Sequence, residues 1–179
     1  MQSLGRAGKV STGIDYTVDF LADRYDVRID KRSVLLKPSG IVADEMAAVL
    51  ILHYLIGDLK GGFQSRDEWI SFRGLQGGVV FWPAFLKSII EPLAAYLERD
   101  PDGLVKNLED RFAVKHIQGG DVGFEVAAFP DIFVRVIFWK GDEGMPCHAT
   151  MLFDKGLAEI YSTEDIAVLL NRVVEKIAQ

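Results

Sequence analysis

The chain holds a single cysteine, Cys147, among its 179 residues, so no intrachain disulfide can form. A chain of this length buries enough surface to fold without such a staple or a structural metal. Residues 1–10 lack the apolar stretch that directs secretion, and with the lone thiol this leads to the expectation of a cytoplasmic protein. The apolar run 46–52, resumed after His53 as 54–56, falls short of the roughly 20 residues that a membrane-spanning helix needs, so no membrane association is expected. Basic residues are outnumbered 20 to 26 by acidic ones, form no cluster and leave a net charge of -6. That balance argues against nucleic acid, whose phosphates call for a basic stripe. Dinucleotide and P-loop glycine patterns, the nucleophile elbow, paired zinc histidines and CxxC are all missing, so no cofactor and no tightly bound transition metal is expected.

What is present is a strong alternation of strand and helix patterns. Residues 15–20 place Tyr16, Val18 and Phe20 on one face, and the alternation resumes with Tyr25, Val27 and Ile29, then over 34–37, which predicts a three-stranded antiparallel meander with one wet face. Residues 42–56 predict a helix, acidic in its first turn at Asp44 and Glu45, ended by Gly57 and apolar enough all round to be covered on most sides. After a short strand over 68–72, Trp82-Pro83 opens a second helix carrying Phe85, Leu86, Ile89, Ile90, Leu93 and Leu97, with a kink or break at Pro92. A third helix starts at Asp100-Pro101 with Leu104, Leu108 and Phe112 on one stripe. Residues 122–129, a turn at Pro130-Asp131 and residues 132–139 predict a hairpin, followed by a loop over 140–146 and a strand over 149–153. The hairpin is apolar on both faces except at Glu125 and Arg135, the pattern of a sheet covered on both sides. Ser162 and Asp165 form a capping-box start to an amphipathic terminal helix with Ile166, Leu169, Leu170, Val173, Val174 and Ile177. The expected fold is α+β, antiparallel sheets around a buried central helix in one domain over residues 1–179.

Candidate chemistry rests on single residues. His53 is a lone imidazole near the end of a greasy helix, where a metal ligand or general base has to be weighed against an ordinary buried histidine. Asp121, Asp142 and Glu143 sit in glycine-flanked loops, where carboxylates can serve as acid and base, bind a hard cation, or simply form turns. The predicted hairpin brings Asp121 and Asp142 to the same sheet end, and Trp139 beside them offers an aromatic wall. Trp69, inside the short strand, and Arg73, directly after it, are ligand-binding candidates, the arginine as a partner for an anion or simply a solvated charge, while Trp82 and Trp139 are suited to line a flat-ligand pocket or a partner surface. Cys147 and His148 are adjacent, but neighbours entering a strand point to opposite faces and do not easily share one ion.

Three stretches together carry a family resemblance: LHYL at 52–55, WISFR at 69–73, and GDVGFEVAAFP at 120–130 followed by WKGDEGMPCHATMLFD at 139–154. The chain resembles a domain family of strictly anaerobic bacteria and archaea with no assigned activity, some members being joined to an iron-sulfur module. The resemblance implies a protein of anaerobic metabolism, with His53, Trp69, Phe72, Arg73, Gly120, Asp121, Pro130, Trp139, Asp142, Glu143, Phe153 and Asp154 matching its pattern. The family's two acids, aromatic and proline after Asp142 are only partly kept, since Glu143 is followed by Gly144 and Met145. One cysteine cannot hold a cluster that takes four. The expected function is a non-catalytic accessory or small-ligand-binding domain. An enzyme acting through Asp121, Asp142 or Glu143 with His53, and a protein-interaction module, are the alternatives.

Overall fold

The computed structural model describes residues 8–11 and 14–179 and contains two five-stranded antiparallel sheets and four helices. The first sheet runs in chain order through β1 (Gly8–Ser11), β2 (Ile14–Phe20), β3 (Asp23–Arg28), β4 (Ser33–Lys37) and β5 (Ile41–Val42). The expected meander is its centre, and the short outer strands extend it at both edges. Its alternation is the cause of its register: Tyr16 faces Val27 and Val18 faces Tyr25, which buries Val18, Tyr25 and Val27 on one side.

Helix α1 (Glu45–Leu59) is capped by Asp44, whose carboxylate accepts the Ala47 N–H at 3.1 Å. Gly57 lies inside the helix and does not end it; a Cβ there would come within 3.2 Å of Ile160, so the glycine serves close packing. One face, Ala47, Leu50, Ile51, Tyr54 and Leu55, is buried, whereas Met46, Leu52, Ile56 and Leu59 are exposed. The helix is therefore covered along one face and not on most sides, because an apolar residue at every position cannot all meet partners on a cylinder touched from one direction.

The second helix, α2 (Gly78–Arg99), starts five residues before Pro83, just after Gly77 turns into the left-handed region at φ 78°. Pro83 is thus an interior proline; the missing N–H frees a carbonyl on the side where Val79 and Val80 are exposed and water can satisfy it. Pro92 does not break the helix either. The turn Leu86–Ile90 widens so that the Glu91 N–H reaches Leu86 five residues back, which absorbs the proline within one continuous helix. By length and composition α2 is apolar enough to cross a membrane.

Helix α3 (Pro101–Glu109) buries Leu104 and Leu108, and Phe112 is buried just beyond it. The second sheet has the order β6 (Trp69–Ser71), β10 (His148–Asp154), β9 (Ile132–Trp139), β8 (Val122–Phe129) and β7 (Val114–His116). Phe124, Val134, Val136, Phe138, Ala149 and Phe153 face inward with essentially no exposure. The other side of β9 is open, with Phe133 39 % and Trp139 40 % exposed, so this sheet is covered on one side only. The apolar residues Ala127, Phe133, Ile137 and Trp139 made its outer face read as covered, and between them Arg135 reaches Glu125 at 2.8 Å and lies 3.5 Å over the Trp69 ring.

Helix α4 (Thr163–Ile177) closes the core, and both halves of its capping box are formed by Ser162 and Asp165. Lys176 pairs with Asp23 at 2.7 Å, and Arg172 with Asp44, which ties α4 to the first sheet and to the start of α1. The two sheets meet where the Leu21 N–H donates to the Ala128 carbonyl at 3.0 Å and where Phe129 stacks on Phe20 and Tyr54. Among the described residues, buried side-chain polar atoms all have partners.

Candidate functional site

The β8–β9 pairing sets Val122 opposite Phe138, so Asp121 and Asp142 do lie at the same end of the second sheet. Both acids are exposed, and each carboxylate is engaged with a main-chain N–H of the same sheet end. Asp121 accepts the Lys140 N–H at 2.7 Å, and Asp142 accepts the Glu143 N–H at 2.7 Å while its main chain closes a turn with Met145. Gly120, at φ 61°, lets the chain pass close to the Phe138 carbonyl. These are turn-forming roles. Glu143 is exposed beyond them, and Trp139 stacks on His148 with ring centres 5.6 Å apart, on the open side of the sheet. No cavity described below is lined by Asp121, Asp142, Glu143 or Trp139.

His53 does not join this group. Its side chain is 44 % exposed, in contrast to a buried histidine, and Nδ1 lies 3.1 Å from Asp165 in the α4 capping box. It lines a depression of about 320 Å³ with Lys60 and Glu159. Trp69 is held under Arg135, and Arg73 lies 5.4 Å from the Trp82 ring, so both candidates are engaged in cation–π contacts. Trp69 also borders a small cavity of about 160 Å³ with Phe63, Phe133, Asp131 and Asp154. Burial holds the Asp131 carboxyl above the ordinary range, although the Tyr54 hydroxyl donates to it at 2.9 Å and opposes that rise. Burial also raises Asp154, but hydrogen bonds from Ser65, Arg66, Gly156 and Asp67 outweigh it and leave the carboxyl below its ordinary value. Cys147 is pushed up by burial and by Glu98, which keeps it a thiol. Among the described residues, no three His, Cys, Asp or Glu side chains gather as a metal site.

A larger cavity lies elsewhere, where the tip of the β2–β3 hairpin docks on the end of β8. It measures about 650 Å³, within the range of small-molecule sites. Its walls come from the hairpin turn, Lys37-Pro38 after β4, the α3–β7 connection Arg111–Ala113, and Ala127–Pro130. Four alanines, Ala22, Ala113, Ala127 and Ala128, leave the space open between Phe20, Phe112 and Phe129. The turn itself is strained: Leu21 and Ala22 stand at φ 49° and 66°, a geometry normally given to Asn-Gly. Each costs about 1 kcal/mol. The cost is met by burying Leu21 and by its bond to Ala128. Three cations, Arg24, Lys37 and Arg111, stand at the lining. Sequence patterns did not mark this space, because four separate segments form it and four of its lining residues are alanines.

The family model described as "Domain of unknown function (DUF3786)" matches residues 3–176 of this chain. No curated protein and no solved structure matches it.

Proposed function

The chain belongs to the DUF3786 family, a domain of unknown function, and we propose that it is a non-catalytic small-ligand-binding domain that takes its ligand in the cleft between the β2–β3 turn and the end of β8. The observation that carries this reading is the cleft itself, about 650 Å³ with an apolar floor and a backbone strained at Leu21 and Ala22 along its wall. Strain of that kind persists where surrounding structure over-determines it, and it gathers at ligand sites. The cytoplasmic, anaerobic setting implied by the family resemblance, with a small molecule as partner and neither nucleic acid nor membrane, belongs to the same proposal. The enzymatic alternative has less support, since Asp121, Asp142 and Glu143 are exposed and His53 is paired with Asp165 on α4. A protein-interaction role is favoured by one observation, the exposure of Val79, Val80 and Phe81 at the start of α2.

The test uses N-phenyl-1-naphthylamine, a neutral fluorescent probe of apolar clefts. Saturable one-site binding is expected in the wild-type chain. Ala113→Trp places an indole at the exposed mouth of the cleft and is expected to weaken it by at least about tenfold. Ala84→Trp, in the apolar groove between α2 and α4, should leave it within about twofold. Binding that ignores Ala113→Trp and is lost in Ala84→Trp would transfer the site to the groove and refute the cleft.

A further inference from the structure

The charges around the cleft are unequal in what they have left to offer. Asp19 is held by Arg24 through two contacts, of 2.6 and 3.1 Å. Asp23 is held by Lys176 at 2.7 Å, and Lys37 lies 3.2 Å from Asp26. Arg111 is different: among the described residues no carboxylate lies within ion-pair distance of it, and its guanidinium rests 5.8 Å from the Phe112 ring centre. The lining thus carries three cations against two carboxylates, both already engaged, on a chain whose net charge is -6. A positive spot on an acidic protein repels fewer anions than the surface around it and orients those that arrive.

Arginine presents a planar fork of donors suited to a carboxylate or sulfonate. Here that fork stands next to an apolar floor of Phe20, Phe112 and Phe129, so a charged head at Arg111 and an apolar body between the aromatic rings can be met at once. We propose that the cleft takes an amphipathic monoanion, a body of one or two rings bearing a carboxylate- or sulfonate-like head, with Arg111 meeting the head; this rests on the cleft being the binding site.

The experiment compares two probes that share one skeleton: N-phenyl-1-naphthylamine, which is neutral, and 8-anilinonaphthalene-1-sulfonate, which adds the anionic head. Both are titrated against the wild-type chain, Arg111→Gln and Arg111→Lys. Arg111→Gln is expected to weaken the sulfonate by about tenfold, the scale of one charge-assisted contact, and the neutral probe by less than about twofold. The sulfonate loss should shrink in 0.5 M salt, where exposed charges are screened over about 4 Å. Arg111→Lys keeps the charge but not the planar fork, and should recover the sulfonate affinity only in part, to about threefold below wild type. Arg111 is exposed, so these variants are expected to keep the wild-type melting temperature. Equal weakening of both probes, or no selective loss of the sulfonate, overturns the anion while leaving the cleft standing. Failure of both probes to bind the wild-type chain removes the cleft reading and this inference together.

Discussion

Asp154→Ala is expected to lower stability by about 3 kcal/mol, which for a chain of this size is a fall of about 8 °C in melting temperature. The Asp154 carboxylate is buried and accepts from four donors: the Ser65 hydroxyl at 2.6 Å and the N–H groups of Arg66, Asp67 and Gly156 at 2.9, 3.0 and 2.7 Å. Removing it takes the acceptor from the Ser65 hydroxyl and from the Arg66 and Gly156 N–H groups and leaves the Asp67 N–H only the Ser65 hydroxyl at 3.1 Å, and the loop 63–67 loses its attachment to the end of β10. Asp154→Asn is expected to cost nearly as much, since one of its two acceptor oxygens becomes a donor aimed at other donors. The pH dependence has a definite sign. Because the folded-state carboxyl is depressed, its stabilisation is fully present above the unfolded value near 4 and is lost as pH falls through the folded value. Thermal melts of wild type and Asp154→Ala should therefore differ by the full amount at pH 7, and the difference should shrink as pH falls through the folded-state value. A constant difference across that window would show that the carboxylate's charge is not what the loop requires.

Gly120→Ala is expected to cost about 2–3 kcal/mol. Two independent features act at this position. Its φ of 61° is unfavourable for a residue with a Cβ, and that Cβ would sit 2.2 Å from the Phe138 carbonyl oxygen, a backbone atom that also accepts the Asp121 N–H. Gly144→Ala is the control. That glycine also has positive φ, 88°, but nothing lies within 4 Å of its added Cβ, so only the conformational part remains, about 1 kcal/mol. Urea denaturation at constant slope separates the two. Equal losses at Gly120 and Gly144 would mean that the contact with Phe138 relaxes freely and that the Gly120-Asp121 turn is not fixed by the sheet end.

How far the sequence led depends on whether the determining chemistry is local. The α4 capping box was legible because Ser162 and Asp165 complete each other within four residues. The β8–β9 hairpin was legible because its alternation is long, and with it the shared end of Asp121 and Asp142. The edge strands β1, β5 and β7 were not, since segments of two to four residues take their conformation from a partner strand. Pro83 misled about the start of α2, because the same residue that favours a first turn is tolerated inside a helix when the freed carbonyl faces water. His53 and Trp69 stood out by type, yet Asp165 and Arg135, far away in the chain, determine what they do. The cleft was invisible for the converse reason. Ala22, Ala113, Ala127 and Ala128 are ordinary residues, and only their tertiary meeting leaves a space.

The central claim is that this space holds the ligand, and two-dimensional amide NMR of the chain titrated with N-phenyl-1-naphthylamine tests it most directly. The largest shift changes are expected at the amides of Ala22, Ala113 and Ala127, which surround the cleft. Changes confined to Phe81, Ala84 and Ala167 in the groove between α2 and α4, with the cleft amides unmoved, would contradict it.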